Sequence, residues 1–239
     1  MLDQPDFTGK VVLVTGAGRG LGRLIAEAFA GRGAGVAAND ITPVNLDLTV
    51  QHIHAAGGRA RDYICDVAKQ MPLQSMVDQV LADWGRIDFL VNNAAVRPQY
   101  PLLDFDAWDW QRTLEVNLSG AFYATQLVAK AMRKQGSGAI VNIAASLSAG
   151  QGFAGQSAFY ASKQGLLGLT RVAAAELAAG QIRINALCPG ELPIGSPGEP
   201  PGDPLAAAHL AAVVDQVLYL CSPAAAHLTG QVIELGVKS

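Results

Sequence analysis

The stretch "KVVLVTGAGRGLGRLIAEAFAGRG", residues 10–33, decides the fold of this 239-residue chain. "KVVLVTG" reads as a short apolar strand, and "GLGRLIAEAFAGRG" as a helix that ends at glycine. Between them Gly16, Gly20 and Gly22 allow a tight turn and let phosphate oxygens come close to the backbone. The helix amino terminus behind the turn favours negative charge. Glycines also make ordinary turns, but here strand, turn and helix stand where a phosphate-binding turn requires them.

Working outward, the same alternation runs to the end of the chain. "GVAAND" (35–40), "ARDYICDV" (60–67), "IDFLVNNAA" (87–95), "GAIVNIAAS" (138–146), "IRINALCPG" (182–190) and "QVIEL" (231–235) read as six further strands. Helical patterns cover "MPLQSMVDQVLADWG" (71–85), a long segment from about Trp108 to Lys134, and "FYASKQGLLGLTRVAAAELAA" (159–179). Strict β–α alternation predicts an α/β fold: a Rossmann-like, doubly wound parallel sheet of about seven strands with helices on both faces. One domain spans 1–239, with a nucleotide-binding half over about 1–100 and an active-site half over about 101–239. Ligands in such sheets sit at the carboxyl ends of the strands, near the topological switch point. The Pro- and Gly-rich segment 189–204 breaks the pattern and reads either as a lid over that site or as a surface connection.

Composition narrows the function classes. Half the residues are hydrophobic and 15% are charged, against about 25% charged in an average soluble domain. A formal charge of -3 gives no basic footprint for nucleic acid. The amino terminus carries no signal-peptide pattern, and no uninterrupted apolar run reaches the ~18 residues of a membrane span. Cys65, Cys188 and Cys221 are far apart and without metal-ligand spacing, so they read as buried small hydrophobes of a cytoplasmic protein. No metal site is expected, and the four histidines read as surface residues.

The spacing TGxxxGxG at Thr15 to Gly22 resembles the cofactor loop of the short-chain dehydrogenases/reductases, and later stretches agree with that family in order. "CDV" (65–67) resembles its adenine-pocket element, "NNAA" (92–95) its NNAG, "EVNLSGAF" its asparagine segment, "VNIAAS" its serine segment and "NALCPG" the segment after strand six. The resemblance implies cofactor contacts from Gly16, Arg19, Gly20, Leu21, Gly22, Asp40, Asp66, Val67, Asn93, Ala94, Lys163, Pro189 and Gly190. It implies hydride transfer between a nicotinamide dinucleotide and a secondary alcohol or carbonyl, in a homodimer or homotetramer. Asp40 closes the second strand, where a carboxylate accepts ribose hydroxyls and repels a 2′-phosphate; this favours NAD. Arg19 is the counterweight for NADP, unless it is only a solvated loop charge.

At the chemistry end the resemblance implies roles for Asn117, Ser146 and Lys163, with a tyrosine four residues before the lysine as proton donor. That place holds Phe159, and Tyr160 stands one residue later. A phenyl ring has no proton to exchange. One step along a helix turns a side chain by ~100°, so Tyr160 is expected to point away, packed at the helix edge or a subunit contact, unless a local bulge brings it round. Ser148 is a spare beside Ser146, and Ile194 replaces a threonine that contacts nicotinamide in many members. Three readings follow: an oxidoreductase of this type, impaired at Phe159; a catalytically silent nucleotide-binding or partner subunit; or an engineered Tyr-to-Phe form of an active enzyme.

Overall fold

A computed structural model describes residues 5–147, 153–190 and 204–236. Seven strands lie in it as one parallel sheet: β1 (Val11–Thr15), β2 (Gly35–Asp40), β3 (Arg59–Ile64), β4 (Phe89–Asn92), β5 (Gly138–Ile143), β6 (Ile182–Cys188) and β7 (Val232–Glu234). Their order is β3-β2-β1-β4-β5-β6-β7, so the chain reverses direction across the sheet between β1 and β4. Every residue of β1 and β4 is buried. Continuous burial is what a parallel strand covered on both faces requires, and it explains the unbroken apolar runs in the sequence.

Among the described residues seven α-helices supply the cover: α1 (Gly20–Ala30), α2 (Pro43–Ala55), α3 (Gln70–Trp84), α4 (Ala107–Leu114), α5 (Ala121–Gln135), α6 (Ser157–Leu177) and α7 (Pro204–Cys221). Val12 and Val14 pack with Phe29 of α1, Leu46 of α2 and Val213 and Val217 of α7. Leu13, pointing the other way, packs with Leu73 of α3, Leu127 and Val128 of α5 and Ala173 of α6. The period of two in the strand thus divides the core into two layers.

The structure changes three of the sequence expectations. The segment from Trp108 to Lys134 is not one regular helix. A π-helical turn over Glu115–Gly120 separates α4 from α5. The wider turn directs Asn117 inward, and such turns recur at functional sites. The third strand stops at Ile64, short of "CDV", and the Asn39 amide donates to the carbonyls of Tyr63 and Cys65 at that bend. Helices α2 and α7 carry no helical reading in the sequence. Only Leu46, Thr49 and Ile53 of α2 are buried, a stripe too thin to stand out. Helix α7 is apolar nearly all round; its 18 residues have a mean hydropathy of 1.5, long and apolar enough to cross a membrane by those measures. It carries Asp215 and buries one face, Leu210, Val213, Val214, Val217, Leu218 and Leu220, within the protein.

A buried polar chain fixes the carboxyl ends of the central strands. The Asn92 amide donates to Asn142 Oδ1 at 2.8 Å and to Thr125 Oγ1 at 3.0 Å. The Asn142 amide donates to Thr170 Oγ1 at 2.9 Å, whose hydroxyl donates to the Leu166 carbonyl. β4, β5, α5 and α6 are therefore held in one register beneath the site.

Candidate active site

Thr15, the last residue of β1, ties two turns together. Its Oγ1 accepts from the N–H groups of Asn93 (3.0 Å) and Ala94 (3.1 Å) and donates to the Val91 carbonyl. The Asn93 amide returns two hydrogen bonds, to the carbonyls of Thr15 and Gly16. This contact leaves no room for side chains in the glycine turn. A Cβ on Gly22 would lie 2.1 Å from the Gly16 oxygen, and one on Gly16 would lie 2.9 Å from Ala94 Cα. Gly20, at φ +55°, has nothing within 4 Å of its Cβ direction, so that side of the turn is open.

Helix α1 begins at this opening without a capping side chain and without an acidic residue in its first turn. Its first N–H groups are thus left for an anion. Arg19 is exposed beside them, and Leu21 is buried behind. Asp40 Oδ2 accepts from Gly18 N–H at 2.9 Å, while Oδ1 accepts from Ile41 N–H at 2.8 Å and more weakly from Thr42. The carboxylate is set at the edge of the turn with lone pairs remaining for hydroxyl donors. Asp66 Oδ1 accepts from Ala68 N–H, and Oδ2 meets Arg112 at 2.9 Å from α4. Val67 is buried against Gly120 of the π turn. Pro189 is buried at the carboxyl end of β6, Gly190 follows at φ +75°, and the Pro189 carbonyl contacts the part-buried His209 ring, which is not a plain surface residue. An uncapped helix terminus, an anchored carboxylate at the end of β2 and open space over Gly20 fit a dinucleotide.

Across the β1–β4 boundary lies a second cluster. Asn117 Oδ1 accepts from Val96 N–H at 2.8 Å. Its amide donates to the Val96 carbonyl and to Ser162 Oγ, both at 3.0 Å. Lys163 is 3% exposed, and its ammonium donates to the Ile143 carbonyl at 2.6 Å. Burial pushes its pKa down to about 8, with the nearby Cys188 opposing the fall. The Phe159 ring lies 5.8 Å from the Lys163 ammonium and 5.1 Å from the Arg97 guanidinium. Tyr160 points its ring elsewhere: it packs edge-on against Phe153 at 4.7 Å and Phe159 at 5.4 Å. Ser146 follows β5, and its hydroxyl donates to Glu234 Oε1 at 2.6 Å.

Structure therefore gathers Asn117, Phe159 and Lys163 at one place. Ser148, Ile194 and the body of the Pro- and Gly-rich segment lie outside the described residues. Among the described residues no three His, Cys, Asp or Glu side chains come together as a metal site would need. The three cysteines are free and buried. Sequence reasoning missed Thr15, Arg97, Arg112 and Glu234. Thr15 alone carried a signal, a hydroxyl at the end of the first strand; the partners of the others depend on tertiary contacts.

Comparison with known proteins gives a consistent picture. Residues 10–194 match the sequence model of the short chain dehydrogenase family. A 3-oxoacyl-(acyl-carrier-protein) reductase of Thermotoga maritima is 35% identical over 245 residues, covering 94% of this chain and 95% of that protein. A D-threitol dehydrogenase of Mycolicibacterium smegmatis is 41% identical over 181 residues, covering 76% of this chain and 69% of that protein. The crystal structure of an NAD+-bound xylitol dehydrogenase superposes with a TM-score of 0.86 at 30% identity, covering 96% of this chain and 98% of that one.

Proposed function

The chain belongs to the short-chain dehydrogenase/reductase family, and from that premise we propose an NAD-dependent oxidoreductase of secondary alcohols or carbonyls, slowed by the phenyl ring at position 159. The observation that carries this reading is the placement of Asn117, Phe159 and Lys163 across the β1–β4 boundary from the uncapped start of α1. Bound nicotinamide would accept or supply hydride. Gly16, Gly20 and Gly22 hold the backbone N–H groups at the start of α1 open for its pyrophosphate. Asp40, held by Gly18, Ile41 and Thr42, accepts ribose hydroxyls and repels a 2′-phosphate, which favours NAD over NADP. The NAD+ bound in the xylitol dehydrogenase structure supports the same choice.

Asn117 orders the backbone at Val96, and its amide holds Ser162. Lys163 sets its ammonium beside ring 159, with burial lowering its pKa to about 8. A phenol at 159 would lose its proton more readily beside that charge. The phenyl ring has none to lose. Relatives with reductase and polyol dehydrogenase names support a hydroxyl- or carbonyl-bearing small molecule as substrate. Exposed Leu102, Leu103, Trp108 and Phe122 around α4 and α5 support a homo-oligomer, and buried free thiols suit a cytoplasmic setting.

Phe159 favours a second reading, a silent nucleotide-binding subunit. The test follows NADH at 340 nm across ketones, diones and polyols, for this chain and for Phe159→Tyr. The proposal expects slow turnover here and a gain of about 10²–10⁴ in the variant. Tight NADH binding with no turnover by either protein would leave the silent reading in its place.

A further inference from the structure

The carboxyl end of β7 delivers a carboxylate to the serine of the site. Glu234 pairs in register with Cys188 of β6, and it shares a strand face with Val232, which packs beside Ala144, Leu166 and Cys188. From there Glu234 Oε1 receives the hydroxyl hydrogen of Ser146 at 2.6 Å. That separation belongs to the short, charge-assisted class of O–H···O⁻ hydrogen bonds.

We propose that Glu234, acting through Ser146, takes the proton that Phe159 cannot take. The inference rests on the oxidoreductase reading and deepens it. Ser146 has a single hydrogen to donate. While that hydrogen is given to Glu234, the serine oxygen offers only lone pairs to a substrate, so it accepts from an alcohol O–H. In the oxidative direction the alcohol O–H bond breaks and its proton moves to Ser146 Oγ as the serine's own proton moves to Glu234. Bound oxidised nicotinamide would take the carbinol hydrogen as hydride, which would leave the carbonyl as product. Glu234, which is exposed, then gives its proton to water. In the reductive direction a protonated Glu234 donates to Ser146, which frees the serine hydrogen for the substrate carbonyl.

Three described groups stand near this carboxylate beyond Ser146. Cys188, on the neighbouring strand, has its thiol pushed up to about 11, by burial first and by the Glu234 charge second. Lys163, on α6, interacts with Cys188 and bonds to the Ile143 carbonyl just ahead of Ser146. On α7, His209 contacts the Pro189 carbonyl, beyond Cys188. Glu234 acts through another side chain, so it is a positioning residue for the Ser146 hydrogen as well as the end point of the proton.

Glu234→Gln separates the two roles. A glutamine oxygen still accepts from Ser146, so geometry is kept, but it does not take up a proton near neutral pH. For oxidation of a secondary alcohol such as a C4 or C5 polyol with NAD, kcat should fall by at least about 10²-fold with the KM for NAD unchanged. The acid limb of the pH profile should vanish with it. In the Phe159→Tyr background the same change should cost far less, because a phenol is present. An activity-free readout uses apo-protein labelled with 13C at glutamate side-chain carboxyls. The resonance lost in Glu234→Gln identifies the group, and its titration midpoint should rise in Ser146→Ala, where the charged form loses a hydrogen bond.

An unchanged kcat and pH profile in Glu234→Gln overturns the proposal, as does a midpoint that ignores Ser146→Ala. A chain that is inert until Phe159→Tyr is introduced overturns it too, while leaving the oxidoreductase reading standing. Failure of both proteins to bind NADH removes that reading and this inference together.

Discussion

Lys163 is a buried ammonium with no carboxylate paired to it among the described residues, and its cost should appear as a pH dependence of stability. The side chain is 3% exposed, its pKa is lowered from 10.5 to about 8, and burial is the first cause. A full shift of that size corresponds to about 3 kcal/mol, at 1.36 kcal/mol per unit. The folded chain releases the Lys163 proton near pH 8, whereas the unfolded chain holds it to about 10.5. Between those values the unfolded state binds more protons, so stability rises with pH. From pH 7 to pH 10 the contribution is about 2 kcal/mol. The cysteines work the other way: Cys65 and Cys188, held up at about 11, and Cys221, at about 12, favour the folded state less as pH climbs above 9. A wild-type curve alone mixes the two signs. The difference between wild type and Lys163→Met isolates the lysine, because Cys221 titrates in both proteins. Urea unfolding followed by tryptophan fluorescence, at fixed protein concentration and at pH 7, 8, 9 and 10, gives that difference. Wild type should gain about 2 kcal/mol on the variant across the series. A difference that stays flat would mean that the ammonium is solvated in the folded protein and that Ile143 is not its main partner.

Gly22→Ala should lose NADH binding by titration calorimetry and unfold at lower urea. Its Cβ would sit 2.1 Å from the Gly16 oxygen and 2.5 Å from Asn93 Nδ2, which forces apart the turns that Thr15 ties together. Asn142→Ala should cost about 1–3 kcal/mol in the same unfolding assay, because the Asn92 amide loses its 2.8 Å acceptor and Thr170 its donor in a buried chain. An Asn142→Ala protein as stable as wild type would show that water completes that chain.

The fold was legible because its signals are distributed. Seven apolar runs, separated by helical patterns, leave little choice but a parallel sheet, whereas the strand order with its switch between β1 and β4 came from the structure. The glycine turn was legible for a related reason, since Gly16 and Gly22 are demanded by backbone approach and Gly20 by its positive φ. Helix α2 was invisible because three buried side chains do not make a stripe. The π turn at Asn117 was invisible because 3.6-residue periodicity runs through it with one added residue, and only the Val96 contacts show why the chain widens there. Glu234 lies 88 residues from Ser146, and no local pattern predicts that meeting.

The same contrast explains how the proposed site would keep its shape if its proton chemistry changed. A glycine in the turn is held by sterics on several sides, so substituting it disturbs two strands at once. Position 159 is different. A phenyl ring fills the volume of a phenol ring, and its face still attracts the Lys163 ammonium at 5.8 Å and the Arg97 guanidinium at 5.1 Å. Contacts of that kind contribute about 0.5–2 kcal/mol and need no hydroxyl. The backbone of α6, the Asn117–Ser162 bond and the burial of Lys163 are therefore indifferent to the missing oxygen. The reaction is not indifferent, because a proton must travel. Among the described residues the carboxylate hydrogen-bonded to Ser146 is Glu234, on a strand that the fold would need in any case. Stability and chemistry are thus separable at this position: a Phe159→Tyr protein should unfold like wild type and differ from it only where protons move.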